Sequence, residues 1–340
     1  MRNFLKAVFF LFLIVLFGYA LLFGCLNSPS FTAFVFHKAV VEKHNVRCSS
    51  FKVGSQDYSL NGLLRLNNIA FVCSAGEDTY RGLIGELTLN SLPRLILSGA
   101  PVAVHAGGME VQSKAVHWQN AALNAQWQRV ESWQGTFQAP ELGVGGFKMR
   151  NFRTQLGSQN RPRLEVTNMH ADFYDGQLSG EILLAYRPEL PYHMNLEIKR
   201  ANLDLLGEDQ KALFGALHGT MNMTLDMRAD KEQIRQLKGD LTLSPGSTVN
   251  AGLASFLLAY LPKTSSQHAA LSALVAKGGL LFLDDTSFRF ENLNTEALRG
   301  GLNVKSKELN LNANVTVDLN VEGGMHNLLN LLDKLKKRNP

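Results

Sequence analysis

After Asn45 the chain alternates. Apolar residues recur at every second position in short runs, Phe51/Val53, Leu64/Leu66, Ile69/Phe71/Cys73, Leu87/Leu89, Leu95/Leu97 and Val102/Val104, each broken by Gly, Asn or Pro. A period of two is that of a strand with one face buried, so this half reads as a succession of β-strands. The pattern continues past Asp175-Gly176, a two-residue turn signal, where Leu178, Gly180, Ile182, Leu184 and Tyr186 share one face. Further strands carry Met194/Leu196/Ile198, Met221/Met223/Leu225/Met227, Leu241/Leu243 and Phe288/Phe290. The longest alternation sets Leu309, Leu311, Ala313, Val315, Val317, Leu319 and Val321 against intervening Asn, Thr, Asp and Glu. Unbroken, it predicts a half-buried strand roughly 40 Å long.

Helical spacing is rare. Phe31, Phe34, Val35 and Ala39, with Glu42 and Lys43 beyond them, suggest a short amphipathic helix near a membrane surface. Leu203 to Leu217 reads as one or two short turns, Leu253 to Leu261 as a helix stopped by Pro262, and Gln267 to Ala276 as another ended by Lys277-Gly278-Gly279. From Met325 to Arg338, five leucines at helical spacing precede a basic end. About sixteen to eighteen strands with so few helices exclude a β/α fold, because parallel strands need long crossovers. The expected fold is mainly β, a meandering antiparallel sheet that curls as one elongated unit. At about 4.8 Å per strand it would be roughly 80 Å long.

Ahead of this body, Ala7 to Leu26 is twenty residues without a charge, enough as a helix to span the roughly 30 Å hydrocarbon layer. Arg2 and Lys6 precede it and the next cation is Lys38, which places the N-terminus in the cytoplasm and the body outside. A cleaved signal peptide and a lipoprotein signal, with Cys25 in Leu22-Phe23-Gly24-Cys25 as the lipidated residue, are the other readings. All three export the body. The net charge of +5 changes little, because Arg2, Lys6, Lys334, Lys336, Lys337 and Arg338 account for six of the 34 basic residues and Asp333 for one of the 29 acidic ones. The remainder is neutral, so nucleic-acid binding loses its electrostatic basis.

No pattern of residues points to chemistry. The nine histidines lack the i, i+3 or i, i+4 spacing of metal sites, and neither a metal nor a cofactor is expected. Asp284-Asp285 reads as a turn, and Ser244-Pro245-Gly246-Ser247 as a β-turn without a nucleophile elbow. The Gly143-x-Gly145-Gly146 stretch lacks phosphate-loop spacing. Trp118, Trp127 and Trp133 read as a packing cluster or an interface patch. Cys48 and Cys73 fit a disulfide in an oxidising compartment or two unpaired strand cysteines. The chain is therefore not expected to be an enzyme. What remains is apolar surface that no long helix covers. Met194, Leu196, Ile198, Met221, Met223, Leu225, Met227, Leu309, Leu311, Val315, Val317 and Leu319 are the candidates to line an open lipid trough. The same faces could instead close on one another as a dry sandwich core.

The stretches SLNGLLRLNNIAF (59–71), GLIGELTLNSLPRLILSGAPVAVHAGGMEV (82–111), ADFYDGQLSGEILLAYRPELPYHMNLEIKRANLDLLG (171–207), LHGTMNMTLDM (217–227), LKGDLTLSPGSTVN (237–250) and LLFLDDTSFRFENLNTEALRGGLNVKSKELNLNANVTVDL (280–319) follow the anchor in an order that resembles the AsmA-like family of bacterial envelope proteins. The resemblance implies a transmembrane anchor at 1–27, a periplasmic AsmA-like β-rich domain at 28–323, and a C-terminal amphipathic helix with a basic tail at 324–340. It implies a β-taco tethered to the inner membrane, whose apolar groove carries phospholipid or another envelope lipid between membranes or supports outer-membrane biogenesis. The alternative is a scaffold of the cell envelope without lipid cargo, which offers its sheet edge or C-terminal helix to other envelope proteins.

Overall fold

The computed structural model describes residues 27–36, 47–59, 62–75, 78–90, 102–114, 116–129, 132–159, 163–185, 192–230, 233–258, 262–294 and 297–320. The uncharged segment 7–26, the Leu95/Leu97 run and the tail 324–340 lie outside these residues. Among the described residues no helix is long and apolar enough to cross a membrane. The chain is mainly β, with fifteen strands in antiparallel sheet order and a few short helices. It divides into two compact units, Met1–Gly145 and Gly146–Pro340.

The first unit holds helix α1 (Pro29–Phe36) and strands β1 (Arg47–Tyr58), β2 (Leu64–Ala75), β3 (Asp78–Asn90), β4 (Val102–Gln112), β5 (Val116–Arg129) and β6 (Ser132–Val144). They pair in sequence order, each antiparallel to the last. The parity of the apolar positions changes within strands. In β2 it passes from Leu64/Leu66 to Ile69/Phe71/Cys73, and Asn68 between them has φ +53°. The register with β1 and β3 runs unbroken past Asn68, where Gly54 lies against its Cβ, so the left-handed residue reverses the pleat without a bulge and keeps both runs on the same face. Tyr58, Leu64, Leu66 and Ile69 form the core there, with Phe51, Val53, Ile84, Leu87 and Leu89 packed against them. Cys48 stands opposite Cys73 in the β1–β2 ladder, and the two are joined by a disulfide. At the other end of β1, the Tyr58 backbone N–H donates to Asn27 Oδ1 at 2.6 Å.

The second unit begins with β7 (Phe147–Gln159), β8 (Arg163–Phe173), β9 (Gly176–Ala185) and β10 (Tyr192–Asn202), then helices α2 (Leu203–Asp209) and α3 (Lys211–Phe214). β11 (Leu217–His218), β12 (Thr220–Asp230), β13 (Gln233–Leu243) and β14 (Thr248–Val249) follow. Next come helices α4 (Ala251–Leu258) and α5 (Ser266–Ala276), and then β15 (Leu281–Phe282), β16 (Asp285–Asn292), β17 (Ala297–Ser306) and β18 (Leu311–Asn320). Nine strands run in the order β7-β8-β9-β10-β12-β13-β16-β17-β18, and β11-β14-β15 make a separate small sheet. Two expectations need correction. The turn after β8 is Tyr174-Asp175, with φ +47° and +60°, and Gly176 already belongs to β9 opposite Phe173. Two successive positive φ values are what a two-residue hairpin turn requires, and the glycine was free to enter the ladder. The final alternation begins at Leu311, because Leu309 lies in the turn after β17 and Asn310 takes φ +47°. Ser244-Pro245-Gly246-Ser247 is the expected β-turn, closed by Ser247 N–H to Ser244 O at 3.1 Å, with Gly246 at φ +86°.

Candidate functional site

The cross-strand register brings most of the candidate apolar residues onto one face of the second unit. Met194, Leu196 and Ile198 of β10 stand opposite Met227, Leu225 and Met223 of β12, and Ala201 opposite Met221. Those residues face Leu237, Gly239, Leu241 and Leu243 of β13. Leu241 and Gly239 in turn oppose Phe288 and Phe290 of β16, which oppose Leu302 and Gly300 of β17. The rows end on Val315 and on the register position of Val317 in β18, with Leu319 opposite Leu298 and Leu311 opposite Ser306. Leu309, in its turn, is not part of the rows. Glycine in the middle row has a purpose. A Cβ on Gly239 would enter the ring of Phe290, which lies over it.

Burial along this face is uneven. One margin is dry: Met221 is 1% exposed, and Leu243, Val304 and Leu311 are buried too. The other margin is the buried cluster of Ala229, Ile234, Leu237 and Leu298, with Leu225, Met227 and Phe290 packed against it. Between them Leu196, Met223, Leu241, Leu302 and Val315 are only half-buried, and Phe288 is 40% exposed. An apolar strip between two buried margins is thus left partly open to water. Across the six strands from β10 to β18, at about 4.8 Å per strand, it measures roughly 24 Å.

The opposite face is polar and compensated. Arg289 Nε donates to Asp240, Arg299 reaches Asp318 through Nε at 2.8 Å and a second nitrogen at 3.0 Å, and Lys305 pairs with Asp285 at 3.0 Å. The paired guanidinium holds the Asp318 carboxyl below the usual carboxylate range. Two open depressions lie here. One of about 610 Å³ is lined by Lys238, Asp240, Arg289, Glu291 and Arg299, and one of about 470 Å³ by Glu197, Lys199, Arg200 and Asp240. Both linings mix the two signs, and Arg289 pairs with Asp240, Lys199 with Glu197 and Arg299 with Asp318, so neither concentrates a field for a ligand of one charge.

The other candidate groups have structural partners. Asp284 accepts from Lys307 N–H, and Asp285 pairs with Lys305. His218 Nδ1 lies 2.6 Å from Asp204, whose carboxyl is lowered by that contact, and Asp204 also accepts from Gly219 N–H. His193 lies 3.0 Å from Asp226. Among the described residues no group of three His, Cys, Asp or Glu could hold a metal ion. Trp127 and Trp133 are register partners across β5 and β6, while Trp118 packs edge-on against Phe137 at 5.7 Å. At one end of the second unit Tyr174 Oη donates to Asp209 at 2.8 Å and accepts from Lys148 N–H, and Lys148 Nζ reaches the same carboxylate at 2.7 Å. Burial, with the Asp209 contact added, pushes the Tyr174 phenol up to about 12.

The register also adds residues that the candidate set omits. Leu237, Leu241, Phe288, Phe290, Leu298 and Leu302 share the strip or its margins with the residues above. The alternation of Leu241/Leu243 and Phe288/Phe290 was the signal that could have found three of them. No family model, curated protein or solved structure matches the chain.

Proposed function

We propose that the chain is an envelope protein, tethered to the inner membrane by segment 7–26, that holds lipid acyl chains along the apolar strip from β10 to β18. The half-open strip between two buried margins carries this reading. Exposing an acyl chain to water costs about 0.8 kcal/mol per CH₂, or about 12 kcal/mol for sixteen carbons, and an apolar strip removes much of that barrier without any bond being made. Methionines 194, 223 and 227, all half-buried, add side chains that adapt to a mobile guest. The Cys48–Cys73 bond suits an exported body. Curling of the sheet around the strip, as in the β-taco that the AsmA-like resemblance implies, is the finer part of the proposal. Register shifts in β8 and β10, with Asn168 and Arg200 at φ +50° and +55°, favour it because bulges bend strands.

The experiment is mass spectrometry of lipid that accompanies the chain through purification in mild detergent. Bound phospholipid or lipopolysaccharide is expected. Phe288→Asp and Val315→Asp place a charge in the half-open part of the strip and should remove the lipid while the far-ultraviolet circular dichroism stays unchanged. Leu311 is a poorer site for this test, because at 4% exposure a charge there challenges the fold itself. Lipid-free protein, or lipid that persists in both variants, would overturn the proposal.

A further inference from the structure

We propose that the α4–α5 hairpin and the strand that follows it form a docking surface for an anionic lipid bilayer. From Leu241 to Leu283 the chain has no Asp or Glu, and its only Lys or Arg residues are Lys263 and Lys277. Helix α5 carries no charge at all, although Ser266, Ala269, Ala273 and Ala276 are exposed on it. A helix facing only water normally bears charges on its outer side. Beyond it, Leu280 is 43% and Phe282 is 50% exposed, while Leu281 and Leu283 between and after them are 0% and 3% exposed. The alternation locks one side of the strand into the core and holds Leu280 and Phe282 outward.

Lys263 and Lys277, exposed at either end of α5, have no ion-pair partner among the described residues. Outward Phe and Leu and unpaired cations match a bilayer surface, and the nearest acidic residues in the chain, Asp284 and Asp285, are already paired with Lys307 and Lys305. The rings and leucines enter the headgroup boundary and the lysines meet anionic phosphates. The hairpin is inserted between β13 and β16, whose ends carry the buried margin residue Leu243 and its register partner Thr286. Docking would therefore set that margin of the strip toward a membrane. This extends the lipid-holding reading, and it rests on that reading only for its purpose.

The test uses the full chain with Cys25→Ser and Phe282→Cys, labelled with an environment-sensitive nitrobenzoxadiazole dye. Cys48 and Cys73 are held in their disulfide. Segment 7–26 is expected to bring the chain to any vesicle, so the readout is local. With phosphatidylcholine vesicles containing phosphatidylglycerol, the dye should brighten several-fold, shift to the blue and be quenched by nitroxide lipids. Lys263→Glu with Lys277→Glu should abolish that response, and a Thr316→Cys label on the polar face should not show it. If Phe282→Cys fails to fold, Leu280→Cys reports on the same surface. A label equally open to aqueous iodide with and without vesicles overturns the proposal. So does a blue shift that appears without vesicles and grows with protein concentration, which would make the surface a contact between copies. Co-purified lipid is measured on the same lysine variant. Lipid retained with docking lost separates the two functions, and membrane insertion of the label by a chain without cargo lipid sinks only the lipid-holding reading.

Discussion

Both units are built from the same alternating strands, yet their apolar faces end differently. In the first, large residues from β1 to β3 interlock around Ile69, which is 2% exposed, and β4 to β6 present small ones, with Ala106, Ala121, Ala125 and Ala139 at 3%, 0%, 6% and 1%. In the second, the middle rows carry Met, Leu and Phe that remain half-buried, up to Phe288 at 40%. Alternation alone says that a face is apolar. Side-chain size and the neighbours across the register decide whether it closes. A closed face stabilises the fold, whereas an open one leaves transfer free energy available to a guest.

The sharpest way to break this contrast is to remove the same kind of volume from each face. Ile69→Ala should destabilise the first unit by about 2–5 kcal/mol, the range for a large apolar side chain lost from a packed core. Phe288→Ala should cost less than that, because much of its ring already faces water, and should instead diminish bound lipid. Urea unfolding read by fluorescence, beside lipid content, checks both. Equal destabilisation at the two positions would mean that the strip is core.

The covalent staple gives the next effect. The Cys48–Cys73 bond spans 25 residues. Closing a loop of that size in the unfolded chain is worth about 3 kcal/mol on the chain-entropy model. Cys48→Ser with Cys73→Ser should lower the thermal midpoint of the first unit by that equivalent. The second unit, whose described residues contain no cysteine, should melt unchanged. A common shift of both transitions would show that the units unfold together.

Much of this contrast was legible in the residues, and its failures are instructive. The strands, the antiparallel order and the short helices α2 to α5 follow from period and from Pro and Gly. The placement of Met194 through Met227 on one face follows too, because i, i+2 spacing fixes the side of a sheet. Turn details did not follow. Tyr174 is an unusual occupant of the left-handed region, held there by hydrogen bonds to Lys148 and Asp209 that come from distant parts of the chain. Leu309 kept the alternating parity yet fell in a turn, since the hairpin between β17 and β18 needed residues from the apparent strand. The small sheet of β11, β14 and β15 was invisible because two-residue strands have no period. Exposure was invisible as well: Leu311 and Val315 look alike in sequence, but Leu311 is buried and Val315 half-buried.

A smaller effect tests how the second unit is fastened. Asn202 caps α2, its Oδ1 accepting from the N–H groups of Asp204 at 3.0 Å and Leu205 at 3.4 Å. Asn202→Ala should cost about 1 kcal/mol. Hydrogen exchange should quicken in α2 and leave the first unit untouched. Faster exchange in β1 to β3 as well would contradict the independence of the two faces.

The smallest expected effect is a dependence on alkaline pH confined to the second unit. The Tyr174 phenol donates to Asp209 in the folded chain and is held up to about 12, against an ordinary value of 10.0. A raised folded value means that the neutral form is favoured by folding, so its contribution is complete below pH 10 and is lost as pH climbs through about 12. The opposite sign holds for Asp209, whose carboxyl is lowered first by the Lys148 ammonium hydrogen bond and then by Tyr174. Its contribution is present above the ordinary carboxylate value and fades as acid protonates it. Tyr174→Phe should therefore lower the unfolding midpoint modestly at neutral pH, and the gap to the parent chain should shrink between pH 10 and 12. Ultraviolet absorbance of tyrosinate, followed as the difference between the two proteins, should show one tyrosine titrating late. A parent chain with no late tyrosine, or a gap that stays constant to pH 12, would mean that the Lys148–Tyr174–Asp209 contact does not fasten β7 and the β8–β9 turn to α2 in solution.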